Sequence, residues 1–141
     1  MTHPNKITDA KAAFDFILAG RAICTFLNPA TGGRFTYRVR VRDEGPAFVD
    51  VITGSGAEDF TRLGLIFEGK RFVVPRAWEI GNDAPSAAAF RWVFARLSHG
   101  ADLRGVEVWH EGRCGACNRP LRVPESIETG LGPICAKKHA A

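Results

Sequence analysis

The chain has 141 residues, a length that suits one domain or one domain with a small appendage. With 45% hydrophobic and 24% charged residues it is neither collagen, coiled coil nor wholesale disorder, and no apolar run of about 18 residues offers a membrane span. The 19 Lys and Arg against 15 Asp and Glu leave a net charge of +4, which permits a nucleic-acid partner without requiring one.

The first stretch carries Asp9 and Asp15 among its apolar residues and has no small-residue cleavage site, so it is a poor secretory signal. The expectation is a cytoplasmic protein with reduced thiols. Thr8 is placed to cap a helix whose apolar residues Ala10, Ala13, Phe14, Ile17 and Leu18 follow a helical period, with Gly20 as its end. From Ala22 the period changes to two. Residues 22–27 read as a strand and 28–33 as a loop.

Residues 34–42 give the clearest strand. Phe35, Tyr37, Val39 and Val41 point one way, and Arg34, Arg38, Arg40 and Arg42 point the other with Thr36. No acidic residue lies between Asp15 and Asp43, so the basic excess is local to this stretch. Such an arginine face suits phosphate oxygens. The competing reading is a solvated outer face or an edge kept soluble by charge. Further strands are expected at 48–53, 60–67 and 71–74. Links this short require antiparallel pairing.

Asp83 is placed to cap a second helix, with Pro85 in its first turn, an apolar stripe at Phe90, Val93, Phe94 and Leu97, and Gly100 as its end. Trp92 lies off that stripe and is expected to rest on residues 106–141 or the sheet edge. Cys24, between Ile23 and Thr25, is expected to be a buried thiol. Gly54-Ser55-Gly56 lacks the spacing of a phosphate loop and reads as a turn, and His3 and His99 lack neighbours that would mark a general base.

From Val106 the texture changes. A short strand at 106–109 is followed by a segment rich in Gly, Pro and Cys, too short for a core of its own. Cys114-Gly115-Ala116-Cys117 supplies two thiolates from one tight turn, and Cys135 follows Gly132-Pro133-Ile134 at what reads as a helix start. This is a zinc-ribbon or treble-clef spacing. A thioredoxin-like redox pair would not explain Cys135. The zinc deaminase signature does not fit, because His110 and Glu111 are adjacent and Arg113 precedes Cys114. Spacing leaves the fourth ligand open between His110, four residues before Cys114, and His139, four after Cys135.

The runs Val106–Cys114, Cys117, Pro120–Ile127 and Gly130–Cys135 resemble a family of small phage and bacterial proteins with a C-terminal cysteine-rich domain of unknown function. Phe35–Arg40, Phe48–Thr53 and Asp83–Ser86 look like that family too, so the resemblance covers nearly the whole chain. It implies a zinc-binding C-terminus and a mobile-element origin. It also implies His110 as the fourth ligand, since similar members carry the matching residue and many end soon after the third cysteine; His139 is the alternative.

The expected fold is α+β: a curled antiparallel sheet of about five strands flanked by two helices over 1–105, then a zinc-ribbon or treble-clef-like module over 106–141. The expected metal is one structural zinc per chain. The expected function is that of a non-catalytic, nucleic-acid-binding accessory protein of a phage or mobile element. The alternative is a protein-binding module that inhibits a host enzyme or defence complex. An enzyme ranks third, because no catalytic constellation stands out.

Overall fold

The computed structural model describes residues 5–53, 59–78, 80–121 and 129–132. The Gly54-Ser55-Gly56 turn, His3, the helix start after Gly132, Cys135 and His139 lie outside the described residues.

In chain order the elements are β1 (Lys6–Ile7), α1 (Ala10–Ile17), β2 (Arg21–Asn28), β3 (Gly33–Arg40), β4 (Ala47–Ile52), β5 (Phe60–Phe67), β6 (Arg71–Val73), α2 (Pro85–Ser98) and β7 (Glu107–His110). Asp9 caps α1, its carboxylate accepting the Ala12 N–H at 2.9 Å, because the helix starts one residue later than a Thr8 cap requires. At α2 the cap position falls to Ala84 and not Asp83. Pro85 occupies the first helical position and holds the residue before it in extended backbone.

All strand pairings are antiparallel, in the order β1-β7-β2-β3-β4-β5-β6, and the sheet is open. The described residues therefore form seven strands where about five were expected. Two of them account for the difference. Lys6–Ile7 is too short to carry a periodic signal. Glu107–His110 inserts between β1 and β2, pairing Thr25 with Trp109 and Phe26 with Val108. The start of the 106–141 segment is thus part of the main sheet.

One face of the sheet is covered by both helices. Ala22, Cys24, Phe26, Tyr37, Val39 and Val108 are buried on that face. Against them the Phe90 ring lies 5.7 Å from Phe26, 5.1 Å from Tyr37 and 4.8 Å from Phe72. Phe14 stacks on Phe94 at 5.6 Å, which joins the helices to each other. The Tyr37 hydroxyl donates to the Ser86 carbonyl at 2.7 Å, so the one polar atom of this aromatic cluster is satisfied. Cys24 is the expected buried thiol, and burial pushes it up to about 12.

Two expectations about side-chain direction fail. β3 ends at Arg40, so Val41 leaves the alternation and is 41% exposed. Its backbone N–H still donates to the Gly20 carbonyl at 3.0 Å, the next step of the β2–β3 register. Trp92, expected to be mostly buried, is 38% exposed. It sits about 200° around α2 from Phe90, off the stripe that packs on the sheet, with the Arg96 guanidinium over its ring at 5.0 Å, and it borders a groove shared with Phe35 and Val106. The cysteine turn rests on α1.

Candidate nucleic-acid interface and cysteine turn

Strand alternation places Arg34, Thr36, Arg38 and Arg40 on the face opposite the helices, as their spacing predicts. No described helix covers that face. Phe48, Asp50, Phe60 and Arg62 join it from β4 and β5. The arginines are not equivalent there. Arg38 donates to Asp50 Oδ2 through Nε at 3.1 Å and Nη2 at 2.8 Å, and Arg62 Nε donates to Asp50 Oδ1 at 2.8 Å. Asp50 is only 2% exposed, so its charge is held by this double clamp. Arg38 also lies over the Phe60 ring at 4.3 Å, and Arg62 over Phe48 at 4.1 Å. Arg42, outside the strand, covers Phe48 from its other neighbour position at 4.6 Å. Arg34 and Arg40 are exposed and make no ion pair among the described residues.

At the other end of the face, a cleft of about 390 Å³ opens across β7, β2 and β3. Trp109, Leu27, Thr25, Arg34 and Glu111 line it, together with Asn5 and His110. The Trp109 Nε1–H donates to Glu107 Oε1 at 3.1 Å, and Lys6 Nζ holds Glu107 Oε2 at 3.1 Å. The Lys6 hydrogen bond is the main reason the Glu107 carboxyl sits below its ordinary range. The indole is therefore oriented by a clamped partner.

The cysteine turn is built from backbone bonds. Asn118 N–H donates to the Cys114 carbonyl at 2.9 Å, Cys114 N–H to the Arg119 carbonyl at 2.8 Å, and Arg113 bridges Pro120. Asn118 closes the turn at φ 65°. The Cys114 sulfur receives the N–H groups of Ala116 at 3.4 Å and Gly132 at 3.3 Å. Burial alone would push this thiol up. The N–H groups of Gly132, Cys117 and Ala116, with the Cys117 thiol, outweigh it and bring it down to about 7. Cys117 is exposed beside it, and neither cysteine is in a disulfide.

This turn docks on the end of α1. Gly115 N–H donates to the Gly130 carbonyl at 2.8 Å, and the Gly115 carbonyl accepts Arg21 N–H at 2.6 Å. A Cβ at Gly115 would lie 2.7 Å from Phe16 Cδ1, and one at Gly130 only 2.4 Å from it. Both positions need glycine because the fully buried Phe16 ring occupies the space between them. The His110 ring lies 6.0 Å from the same ring.

The turn fits zinc in part: the Cys114 sulfur receives two backbone N–H groups, as thiolate ligation favours, and Cys117 is exposed beside it. His110 is harder to fit. It is 4% exposed on the helix-covered face, and its Nδ1 accepts the Gly112 N–H at 2.8 Å. In the neutral ring that places the proton on Nε2, so ligation requires the Gly112 bond to be given up. Among the described residues no three His, Cys, Asp or Glu side chains come together to hold a metal ion. Gly132, three residues before Cys135, touches Cys114.

Sequence reasoning missed Asp50, Arg62, Phe48, Phe60 and Trp109 as members of the open face, and Phe16 as the seat of the cysteine turn. The period-two alternation of β4, β5 and β7 carried the first group. For Phe16 the signal was an apolar residue outside an already complete stripe.

The class these features define is an α+β protein with an open-faced, seven-stranded antiparallel sheet and a cysteine turn docked beneath its first helix. Residues 108–140, beginning inside β7, match the model of a family of unknown function (DUF6011). No curated protein and no solved structure matches the chain. No described helix is long and apolar enough to cross a membrane.

Proposed function

We propose that this protein is a non-catalytic nucleic-acid-binding accessory protein, with the open sheet face as its binding surface and a zinc-stabilised C-terminal segment. One observation carries the reading. The two carboxylates on the strands, Asp50 and Glu107, are each bound by cations, while Arg34 and Arg40 remain exposed with no ion pair among the described residues. The field of that face is positive where a backbone would lie. Arg42, beyond Arg40, extends the contact surface, while Arg38, between Arg34 and Arg40, adds its charge to the same face from its place on Asp50. The zinc ligands in this reading are Cys114, Cys117, Cys135 and His110, with His139 as the alternative. The metal would cross-link the segment to the turn docked on Phe16, a structural role. The family resemblance points to a phage or other mobile element, and a cytoplasmic setting keeps the thiols reduced.

The test is equilibrium binding of the full chain to labelled oligonucleotides across a salt series. The Arg34→Gln/Arg40→Gln variant should bind more weakly regardless of sequence, with a salt slope lower by about 1.5–2 units for two lost contacts. No binding by the wild type at low salt retires the reading.

A second reading, a protein-binding module that blocks a host enzyme or defence complex, is favoured by Trp92. Its half-exposed ring lines an apolar groove of about 380 Å³ with Phe35, Ala88 and Val106, away from the arginine face. A stoichiometric, salt-tolerant complex with a host protein, lost on Trp92→Ala, would establish it.

A further inference from the structure

The open face is not uniform along its length. At the β4–β5 end the aromatic rings are already covered by guanidinium groups, Arg38 on Phe60 and Arg62 and Arg42 on Phe48. At the β7–β2–β3 end an indole borders an open cleft. We propose that this cleft seats one unpaired nucleotide of a single strand, its base stacked on Trp109 and its phosphate on Arg34. This rests on the nucleic-acid reading above and narrows its partner to single strands.

Three features argue for it. First, Trp109 is preorganised: Glu107 holds its ring N–H and Lys6 holds Glu107, so little freedom is lost when a flat ligand arrives. Second, the register sets the span. Trp109 lies opposite Thr25 on β2, and Leu27, two residues on, lies opposite Arg34 on β3. Two strand spacings and a two-residue offset put the Trp109 and Arg34 backbones about 12 Å apart. Both residues line the cleft together with Leu27 and Thr25. Third, the lining carries both signs of charge. Arg34 and Glu111 both border the cleft. A phosphate is drawn to the first and repelled by the second, whereas an exocyclic amine on a base edge can donate to a carboxylate. A base paired in a duplex has no free face to offer the indole, so the cleft selects unpaired strands.

The test uses the full chain carrying Trp78→Phe and Trp92→Phe, so that Trp109 is the remaining emitter. The probes are a 12-nucleotide DNA strand, the RNA strand of the same sequence and the 12-base-pair DNA duplex. The expected result is tighter binding of the single strands than of the duplex, with quenching of Trp109 emission. A DNA strand bound equally to the RNA strand assigns recognition to base and phosphate, and a bias toward RNA adds the 2′-hydroxyl to the seat. Trp109→Ala should weaken single-strand binding by about 5- to 150-fold without changing the salt slope, Trp109→Phe should keep most of it, and Arg34→Gln should lower the slope. Duplex bound as tightly as single strands, or unchanged emission while Arg34 and Arg40 still govern binding, overturns the seat and leaves the broader reading standing. Absence of binding to all three probes overturns both.

Discussion

Replacing Arg38 by Gln separates a structural arginine from a surface one. Arg38 gives Asp50 two charge-assisted hydrogen bonds, and its side chain is 23% exposed against 2% for the carboxylate. Breaking a buried pair outright costs about 3–5 kcal/mol. Here Arg62 still holds Oδ1, and Arg38 is partly solvated, so about 2 kcal/mol is the expected loss. Arg62→Gln removes one bond from a side chain that is 43% exposed and should cost about 1 kcal/mol. Arg38→Gln/Arg62→Gln leaves the carboxylate buried without a cation, so its cost should exceed the sum of the singles. Arg40→Gln should stay within about 0.5 kcal/mol. Urea unfolding followed by far-UV circular dichroism measures all four. Adding Asp50→Ala to the double variant should restore part of the loss, since the orphaned charge goes with it. If Arg38→Gln is as harmless as Arg40→Gln, the double clamp on Asp50 is not a stabilising element and Arg38 returns to the pool of phosphate contacts.

Three further outcomes are expected. Purified protein should carry one zinc per chain; Cys114→Ser should abolish it, and His110→Ala should release zinc to a chelator faster than His139→Ala, as read by metal analysis, with the reverse order assigning the site to His139. Gly130→Ala should destabilise the fold by about 1–3 kcal/mol through its contact with the Phe16 ring, and the same substitution in a Phe16→Leu background should cost less, a non-additivity that thermal unfolding can measure. Cys24 should resist aromatic disulfide reagents in the native state while Cys117 reacts; because burial raises its folded value to about 12 from an ordinary 9.0, stability should fall as pH climbs between those values, and a Cys24→Ala variant should lose that part of the alkaline decline.

What the sequence made legible follows from how local each signal is. β3 could be read from Arg34 to Arg40 because its alternation involves only neighbours. It failed at Val41, whose N–H continues the β2–β3 register to Gly20 while its side chain, past the end of the strand, is exposed. The arginine face was legible as a set of side chains, but its division into paired and exposed members was not. That division depends on Asp50 and Arg62, which reach Arg38 only through the β3–β4–β5 register. The cysteine turn was visible from its spacing, and its docking site was not. Phe16 meets Gly115 and Gly130 across more than ninety positions of sequence, and no periodicity reports a contact of that kind. Trp92 marks the converse: its off-stripe position was legible and so were its neighbours Phe35 and Val106, but not that they leave its ring 38% exposed.

The placement of β7 has a bearing on synthesis. As the ribosome delivers the chain from its N-terminus, β2 to β6 can form hairpins in turn, yet the outer edge of β2 must wait for residues 107–110. During that interval Cys24, Thr25, Phe26 and Leu27 present an unpaired row of backbone donors and acceptors, while β1 has nothing to pair with at all. The last of the described strands to emerge is therefore the one that seals this edge, and a nascent chain stalled before Glu107 is an invitation to cross-strand association between neighbouring copies on a polysome.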